Sequence, residues 1–383
     1  MGAWNGVELD DVVLSSERLT LRAWRQADAA DVQAIMAEPA IHAFLSLPDP
    51  YTRADAEAFV TDLGVRGRRD GTSVPCALVE RDTGRLVGAA ELQLPGARQV
   101  SGEIGYWVAV AAQGQGYSAE ATRALADWGF AHGLHRAEIY CSVGNLASVK
   151  TALSAGFRLE GTLRDKVQTP RGPADGAVFG RLARDDGAPI RPAFPALPPG
   201  GLTDGTLALR VLQPGDAGAV HEDTANQEAR RFAFGTAEPD PARAAEKAAH
   251  AGLRWLVGPV ADMAMVDVAT GMVAGMIQLR RTGPPGVANI GYGVLPAYRG
   301  RGYTARALRL LAAWAFEQAG VARLELGAKV ANVASQKAAI SGGFTPDGVR
   351  EARLPNPDGS YSDEARFMLL DPRLRARRAR RRA

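Results

Sequence analysis

Cysteine is almost missing from this chain of 383 residues, which carries only Cys76 and Cys141. Two thiols cannot build a disulfide framework, and with five scattered histidines they give no zinc-binding spacing. Reduced, metal-free chemistry is the expectation. Long apolar runs are also lacking: no unbroken stretch of about 18 apolar residues exists, so a membrane span is not supported. No charged-then-apolar leader opens the chain, and the expected location is the cytoplasm.

Net charge is low at +3, and most of it is terminal. Arg373, Arg375, Arg377, Arg378, Arg380, Arg381 and Arg382 supply +7 near the end, which leaves the remaining chain at −4. Such a block reads as a solvated tail, and any contact with nucleic acid or an acidic peptide is expected only there. What the chain has in quantity is apolar material, 46% against 23% charged, enough for a packed core over a length that favours two domains.

Between residues 185 and 205 periodicity fades and Pro189, Pro192, Pro195, Pro198, Pro199, Gly200 and Gly201 crowd together, so this stretch reads as a linker. Domains are expected over 1–184 and 206–372, with an arginine-rich tail over 373–383. The same order of signals runs on both sides. Alternating strands Leu19–Arg22 and Leu207–Arg210 are followed by Asp28 and Asp216, each read as a cap on a first helix. Strand, turn, strand units follow around Gly84 and Gly271.

Then the match becomes nearly residue for residue. Gly105-Tyr106 and Gly291-Tyr292 stand 186 positions apart, as do Gly114-Gln115-Gly116-Tyr117 and Gly300-Arg301-Gly302-Tyr303. Asn145, Ser148 and Gly156-Phe157 match Asn332, Ser335 and Gly343-Phe344 one position later. One ancestral domain has been duplicated. After each glycine pair, Ala121, Leu125 and Trp128, or Ala307, Leu311 and Trp314, mark one apolar helical face.

A strand, a glycine turn and a helix start together offer an anion seat. The first amides of a helix lack internal partners at the positive end of its dipole, and glycines let a phosphate come close. Arg299 and Arg301 add positive charge in the second copy.

Gln113-Gly114-Gln115-Gly116-Tyr117-Ser118 and Arg299-Gly300-Arg301-Gly302-Tyr303-Thr304 resemble the pyrophosphate loop of the Gcn5-related N-acetyltransferase (GNAT) superfamily. Both depart from its pattern at the last place, where Ser118 and Thr304 stand for glycine or alanine. The first half adds Glu103-Ile104-Gly105-Tyr106-Trp107, Glu120, Asn145, Ser148, Gly156-Phe157, Glu160-Gly161 and Arg164, and so is similar to the subgroup (RimJ/RimL-like) that acetylates N-terminal amines of ribosomal proteins.

The resemblance implies two tandem α/β folds, each a mixed, mostly antiparallel twisted sheet flanked by helices, with acetyl-CoA as cosubstrate. It implies that the strand backbone at Val108, Val110 and Val294 lines the coenzyme and that Asn145 and Asn332 contact its pantetheine arm. The expected acceptor is a primary amine, foremost a protein or peptide N-terminus, including a peptide natural product. An amine-bearing antibiotic or a non-catalytic acetyl-CoA-binding scaffold are the alternatives. The chain is expected to be a monomer whose halves imitate a dimer, or a homodimer.

Attack on a thioester needs a neutral amine, so a nearby carboxylate that takes a proton is a natural requirement. Glu103 is the candidate base and Ser148 the candidate donor to the leaving thiolate. Glu103 reads also as a strand carboxylate in a salt bridge, and Ser148 as a helix cap or coenzyme ligand. The family's tyrosine acid is missing, with Ala152 and Ala339 at its places. Asn289 replaces Glu103 and Arg306 replaces Glu120, so the second half is expected to bind coenzyme weakly, support the fold or hold substrate rather than catalyse. Trp24, Trp128, Trp255 and Trp314 read as core, and His132 and His135 as helix-end hydrogen bonders. Tyr106 and Tyr292 are open between core contact and a substrate-facing hydroxyl.

Overall fold

The computed structural model describes residues 3–42, 45, 47–96, 100–234, 238–356 and 358–374. The chain divides into two compact units, Met1–Arg191 and Pro192–Ala383. Of the tail arginines only Arg373 is described; Arg375, Arg377, Arg378, Arg380, Arg381 and Arg382 lie outside the described residues. Among the described residues no helix is long and apolar enough to cross a membrane, and no cluster of side chains could hold a metal ion.

The first unit opens with a short hairpin, β1 (Ala3–Trp4) and β2 (Val7–Glu8). Its sheet is built from β3 (Leu14–Ser15), β4 (Leu19–Arg22), β5 (Ser73–Glu80), β6 (Leu86–Gln93), β7 (Ser101–Val108), β8 (Arg136–Ser142), β9 (Arg158–Thr169) and β10 (Gly172–Leu182). They lie in the order β3-β4-β5-β6-β7-β8-β10-β9. Every pairing is antiparallel except β7 with β8. The helices are α1 (Ala29–Met36), α2 (Arg53–Ala58), α3 (Gly64–Asp70), α4 (Tyr117–Ala131) and α5 (Leu146–Ser154).

The second unit repeats the plan. Its sheet runs β11 (Leu202–Thr203), β12 (Leu207–Val211), β13 (Val260–Asp267), β14 (Val273–Thr282), β15 (Val287–Val294), β16 (Arg323–Lys329), β18 (Tyr361–Leu370) and β17 (Thr345–Pro355), and β15 with β16 is its parallel pair. Helices α6 (Ala217–Ala225), α7 (Gln227–Phe232), α8 (Pro241–Ala249), α9 (Ala251–Val257), α10 (Tyr303–Glu317) and α11 (Val333–Ser341) complete it. Two mixed sheets flanked by helices are the fold class that the family resemblance implied.

The parallel pair decides what the fold can do. β7 and β8 are bonded only over Ser101–Glu103 and Arg136–Glu138, and β15 and β16 only over Val287–Asn289 and Arg323–Glu325. Beyond that point each central pair parts, while β7 stays bonded to β6 as far as Val108 and β8 to β10 as far as Ser142. A one-sided gap is left in mid-sheet, with backbone polar groups turned toward it. Ile104 and Leu125 are fully buried where α4 packs on β6 and β7, so the helix that follows the glycine turn is fixed to the very strand that borders the gap.

Asp28 and Asp216 differ from their expected role. Neither side chain caps the α-helix behind it. Asp28 instead accepts two bonds from the Arg22 guanidinium at 2.8 Å each and one from the Arg25 amide at 2.8 Å. Asp216 does the same with Arg210, at 2.7 and 2.8 Å, and with the Gln213 amide at 2.7 Å. Both are nearly buried, so a charged partner on the preceding strand outcompetes a helix amide. Burial is the largest single influence and pushes the Asp28 pKa up, but the Arg22 bonds, the Arg25 amide and the charges of both arginines together hold the carboxyl below its ordinary value.

The proline-rich stretch is also more ordered than a spacer. Gly187 packs against Gly156 and the Ile190 amide bonds Leu153 O at 2.8 Å in the first unit. In the second, Phe194 is 1% exposed among Trp255, at 5.7 Å between ring centroids, and Trp314, at 6.4 Å. The Arg281 guanidinium lies 4.8 Å from its ring centre, and Trp255 Nε1 donates to Pro195 O at 3.1 Å. Phe194→Ala should therefore destabilise the second unit by about 3–5 kcal/mol, the cost of an emptied core site. Denaturant unfolding followed by tryptophan fluorescence measures this, whereas a free linker predicts no change.

Candidate active site

Each site begins at the glycine turn. Gly114 and Gly116 have φ of +74° and +84°, and Gly300 and Gly302 both +74°, a left-handed backbone that side chains with a Cβ rarely adopt. Gly116 and Gly302 occupy the N-cap positions of α4 and α10. The amides from Gly114 to Ala119, and from Gly300 to Ala305, have no protein acceptor among the described residues. Converging unpaired donors at the positive end of a 15-residue helix could hold a diphosphate. Ser118 and Thr304 sit inside this run and contribute amides, so the departure from glycine or alanine keeps the donors. Val108 and Val294 end the strands that border the gap, and Val110 opens the short turn that leads to Gln113, whose amide bonds Val110 O at 3.1 Å.

Several predicted residues have structural employment instead. The hydroxyls of Tyr117 and Tyr303 donate to Glu80 and Asp267, away from the turn, so only their amides serve the seat. Gln115 Nε2 bonds Ala111 O at 3.2 Å. The Arg299 guanidinium bonds Glu228 and, at 2.8 Å, Asn226 Oδ1, so its charge is already neutralised. Arg301 lies over the Tyr298 ring, 5.2 Å from its centre.

Asn145 and Asn332 are the caps of α5 and α11, accepting the amides of Ser148 at 3.1 Å and Ser335 at 3.0 Å. Ser148 is thus capped and does not cap. Its carbonyl accepts the Tyr106 hydroxyl at 3.1 Å, and the Tyr292 hydroxyl bonds Ser335 O at 3.2 Å and Oγ at 2.8 Å. Each tyrosine therefore ties the parted strand to the helix beyond the gap and props it open. Burial, first of all, raises the Tyr106 phenol far above its ordinary pKa, so it stays a neutral donor.

Glu103 faces the other way. Side chains alternate along a strand, so Glu103 and Tyr106 point to opposite faces of β7, and the structure does not bring Glu103 and Ser148 together on one face. Glu103 lies in a cavity of about 230 Å³ shared with Gln93, Leu94, Ser101, Glu138, Tyr140 and Lys166. Glu138 is taken by Arg136 at 2.6 Å and Tyr140 at 3.0 Å, while Glu103 has no hydrogen bond or ion pair among the described residues. Glu103 is an exposed residue, and its pKa is raised, first by partial withdrawal from water; Lys166 opposes the rise, and Glu138 and Glu91 add to it. A carboxylate with no partner and a raised pKa suits proton abstraction from an ammonium.

A model of the acetyltransferase (GNAT) domain matches the chain twice, over residues 18–158 and 206–345. The chain belongs to this family. An uncharacterized N-acetyltransferase p20 of Bacillus licheniformis is 27% identical over 177 residues, 45% of this chain and 97% of the relative. Among solved structures, Mycobacterium smegmatis RimJ in complex with CoA-disulfide is 22% identical, with 45% of this chain and 88% of that one covered and a TM-score of 0.42. RimL, a ribosomal L7/L12 alpha-N-protein acetyltransferase in complex with coenzyme A, is 20% identical over 45% of this chain and 98% of that one, with a TM-score of 0.41. The chain is thus an acetyl-CoA-dependent N-acetyltransferase with tandem GNAT domains, and the free amides beside a parted strand pair fit that cosubstrate.

One difference between the GNAT halves turns out to be reciprocal. Glu120 accepts the Ser16 hydroxyl at 2.6 Å, the Arg18 amide at 2.7 Å and Arg18 Nε at 2.8 Å, and Arg18 Nη1 reaches Gln115 O in the glycine turn at 2.8 Å. In the second half Arg306 pairs with Asp204 at 2.7 Å. Both exchanged positions lie 186 apart, so the duplicated brace has swapped its charges rather than lost them. Sequence reading missed this because the partners are about a hundred residues apart. It also missed Glu91, registered with Gly105 across β6 and β7, since register is a property of the folded sheet.

Glu120→Arg should destabilise the first half by about 1–3 kcal/mol, because three polar groups lose an acceptor. The double variant Arg18→Asp, Glu120→Arg should recover part of that loss by re-creating the second half's pair. Thermal unfolding of the two variants gives the comparison, and no recovery would show that the exchange is not reciprocal.

Proposed function

We propose that the first half acetylates the N-terminal α-amine of a protein or peptide, with Glu103 as the base. The observation that carries this reading is the partnerless Glu103 carboxylate in a cavity beside the strand that borders the coenzyme gap. The substrate's ammonium gives a proton to Glu103, the amine attacks the thioester carbonyl, the C–S bond breaks as the amide forms, and the surplus proton on nitrogen passes to the departing thiolate. Ser148, on the far face of β7, shares a side-chain hydrogen bond with the Tyr106 hydroxyl, and we take its Oγ as the donor toward the leaving sulfur. A thiolate, with an ordinary pKa of about 8.5, needs little help to leave.

A peptide terminus suits the cavity. The unpaired Glu103 carboxylate can take an ammonium, and Lys166, 5.1 Å from the Tyr140 ring centre, can receive the first peptide carbonyl. The resemblance of the first half to the ribosomal-protein subgroup supports the same acceptor.

Glu103→Gln should lower kcat/KM for a short peptide by about 10²–10⁴. A carboxyl whose pKa is raised by folding weakens the fold once pH exceeds that value, so the neutral variant should be no less stable at pH 7. Thiol release and thermal unfolding measure the two effects; an unchanged rate would move the base elsewhere. In the same assay, Gly116→Val should abolish peptide acetylation while Gly302→Val spares it, and the opposite pattern overturns the assignment to the first half. An aminoglycoside-type amine accepted in preference to every peptide would favour an antibiotic substrate.

A further inference from the structure

The second half lacks Glu103's counterpart, yet it places a carboxylate over the same strand from a different element. α1 begins at residue 29 and α6 at 217, so Ile35 and Asp223 hold matching helix positions, as Trp24 and Leu212 hold matching positions before them. On the strand, Trp107 matches Gly293. In the first half Trp24 stacks on Trp107, with ring centroids 6.2 Å apart and planes at 20°, and fills the space over the outer end of β7. In the second half these places hold Leu212, Asp223 and Gly293.

The exchange opens a cavity of about 170 Å³ over β15. Asp223 points onto the strand: a Cβ built on Gly293 would meet both of its carboxylate oxygens at 2.4 Å. Only glycine admits the carboxylate there. Among the described residues Asp223 accepts no hydrogen bond and forms no ion pair. The charged groups facing it are Lys247 of α8, which stands 3.6 Å from Asp262 of β13, then Arg299, held by Glu228 and Asn226, and Glu222 on its own helix. Leu212, Met276 and Ile277 supply an apolar floor. Withdrawal from water raises the Asp223 pKa, against the pull of Lys247 and Arg299.

We propose that the second half is a separate acceptor site, in which Asp223 binds and deprotonates a primary amine carried on a short apolar chain. Acetyl-CoA seated on the amides from Gly300 to Ala305 supplies the acetyl group. The ammonium passes one proton to Asp223, and the nitrogen lone pair forms the C–N bond at the thioester carbonyl. The C–S bond then breaks, and the surplus proton on nitrogen goes to the departing thiolate, leaving an N-alkylacetamide and free coenzyme. This rests on the family's acetyl-CoA-dependent chemistry and on no assignment made for Glu103.

The test uses the full chain carrying Gly116→Val, with butylamine as acceptor and thiol release as readout. Butylamine should still be acetylated, and adding Asp223→Asn should lower kcat/KM by about 100-fold or more, the usual worth of a positioned base. Gly293→Trp, which restores the first half's side chain, should raise KM for butylamine. Calorimetry should show acetyl-CoA binding unchanged in both variants. Equal turnover with Asp223→Asn, no butylamine acetylation by the Gly116→Val chain, or no acetyl-CoA bound at the second turn each overturns the proposal. Glu103→Gln is scored only on peptide in an otherwise intact chain, so failure of the first-half reading registers separately.

Discussion

The parting of two parallel strands is the constraint on which everything else in this molecule depends. Hydrogen bonds hold β7 to β8 for three residue pairs and then stop, and the same happens between β15 and β16. Backbone groups in mid-sheet cannot be left dry and unpaired without cost. The fold meets this by keeping each strand bonded on its other side, by bridging the gap with a tyrosine hydroxyl, and by leaving the rest for an extended ligand whose own amides can continue the ladder. The glycine turn follows directly from the parted strand, so the same ligand's phosphate end meets the free helix amides. Catalysis is then a matter of which side chain is brought over the open strand.

The halves answer that last question differently. In the first, Trp24 and Trp107 close the outer end of β7 and the free carboxylate stands further back, at Glu103. In the second, glycine and leucine clear the outer end and Asp223 descends from a helix. Structural contacts, by contrast, are copied with little change: Arg22 with Asp28 and Arg210 with Asp216, Arg136 with Glu138 and Arg323 with Glu325, Arg123 on Ser154 O and Arg309 on Ser341 O. Duplication kept what holds the sheet and varied the side chains over the open strand, where one scaffold can change its chemistry without changing its fold.

Much of this was legible along the chain because its signals are local. The strand starting at Leu19, the turn at Gly84, the apolar face of α4 and the glycine pairs each depend on residues within a few positions of one another. His132 bonds Trp128 O at 2.7 Å, the helix-end role read from its position, and Trp24, Trp255 and Trp314 are buried as core. The misreadings share one cause: the deciding partner sits on another element of the fold, six residues back for Asp28 and Asp216 and much farther along the chain for Phe194. Asp28 and Asp216 were matched to helix amides nearby although arginines on the preceding strands hold them more strongly. Phe194 looked like part of a spacer because the tryptophans that bury it stand about 60 and 120 residues later.

By itself, then, the sequence determined the duplication and the glycine turn, since periodicity, glycine placement and internal matching need no third dimension, while the α/β fold followed from the family resemblance those residues carry. Tertiary structure alone decided which carboxylates are unpaired, which charges had been exchanged across the duplicated brace, and that a helix aspartate stands over a strand glycine. Those are properties of register and of distances through space. A linear chain carries the residues that will meet but not the geometry in which they do.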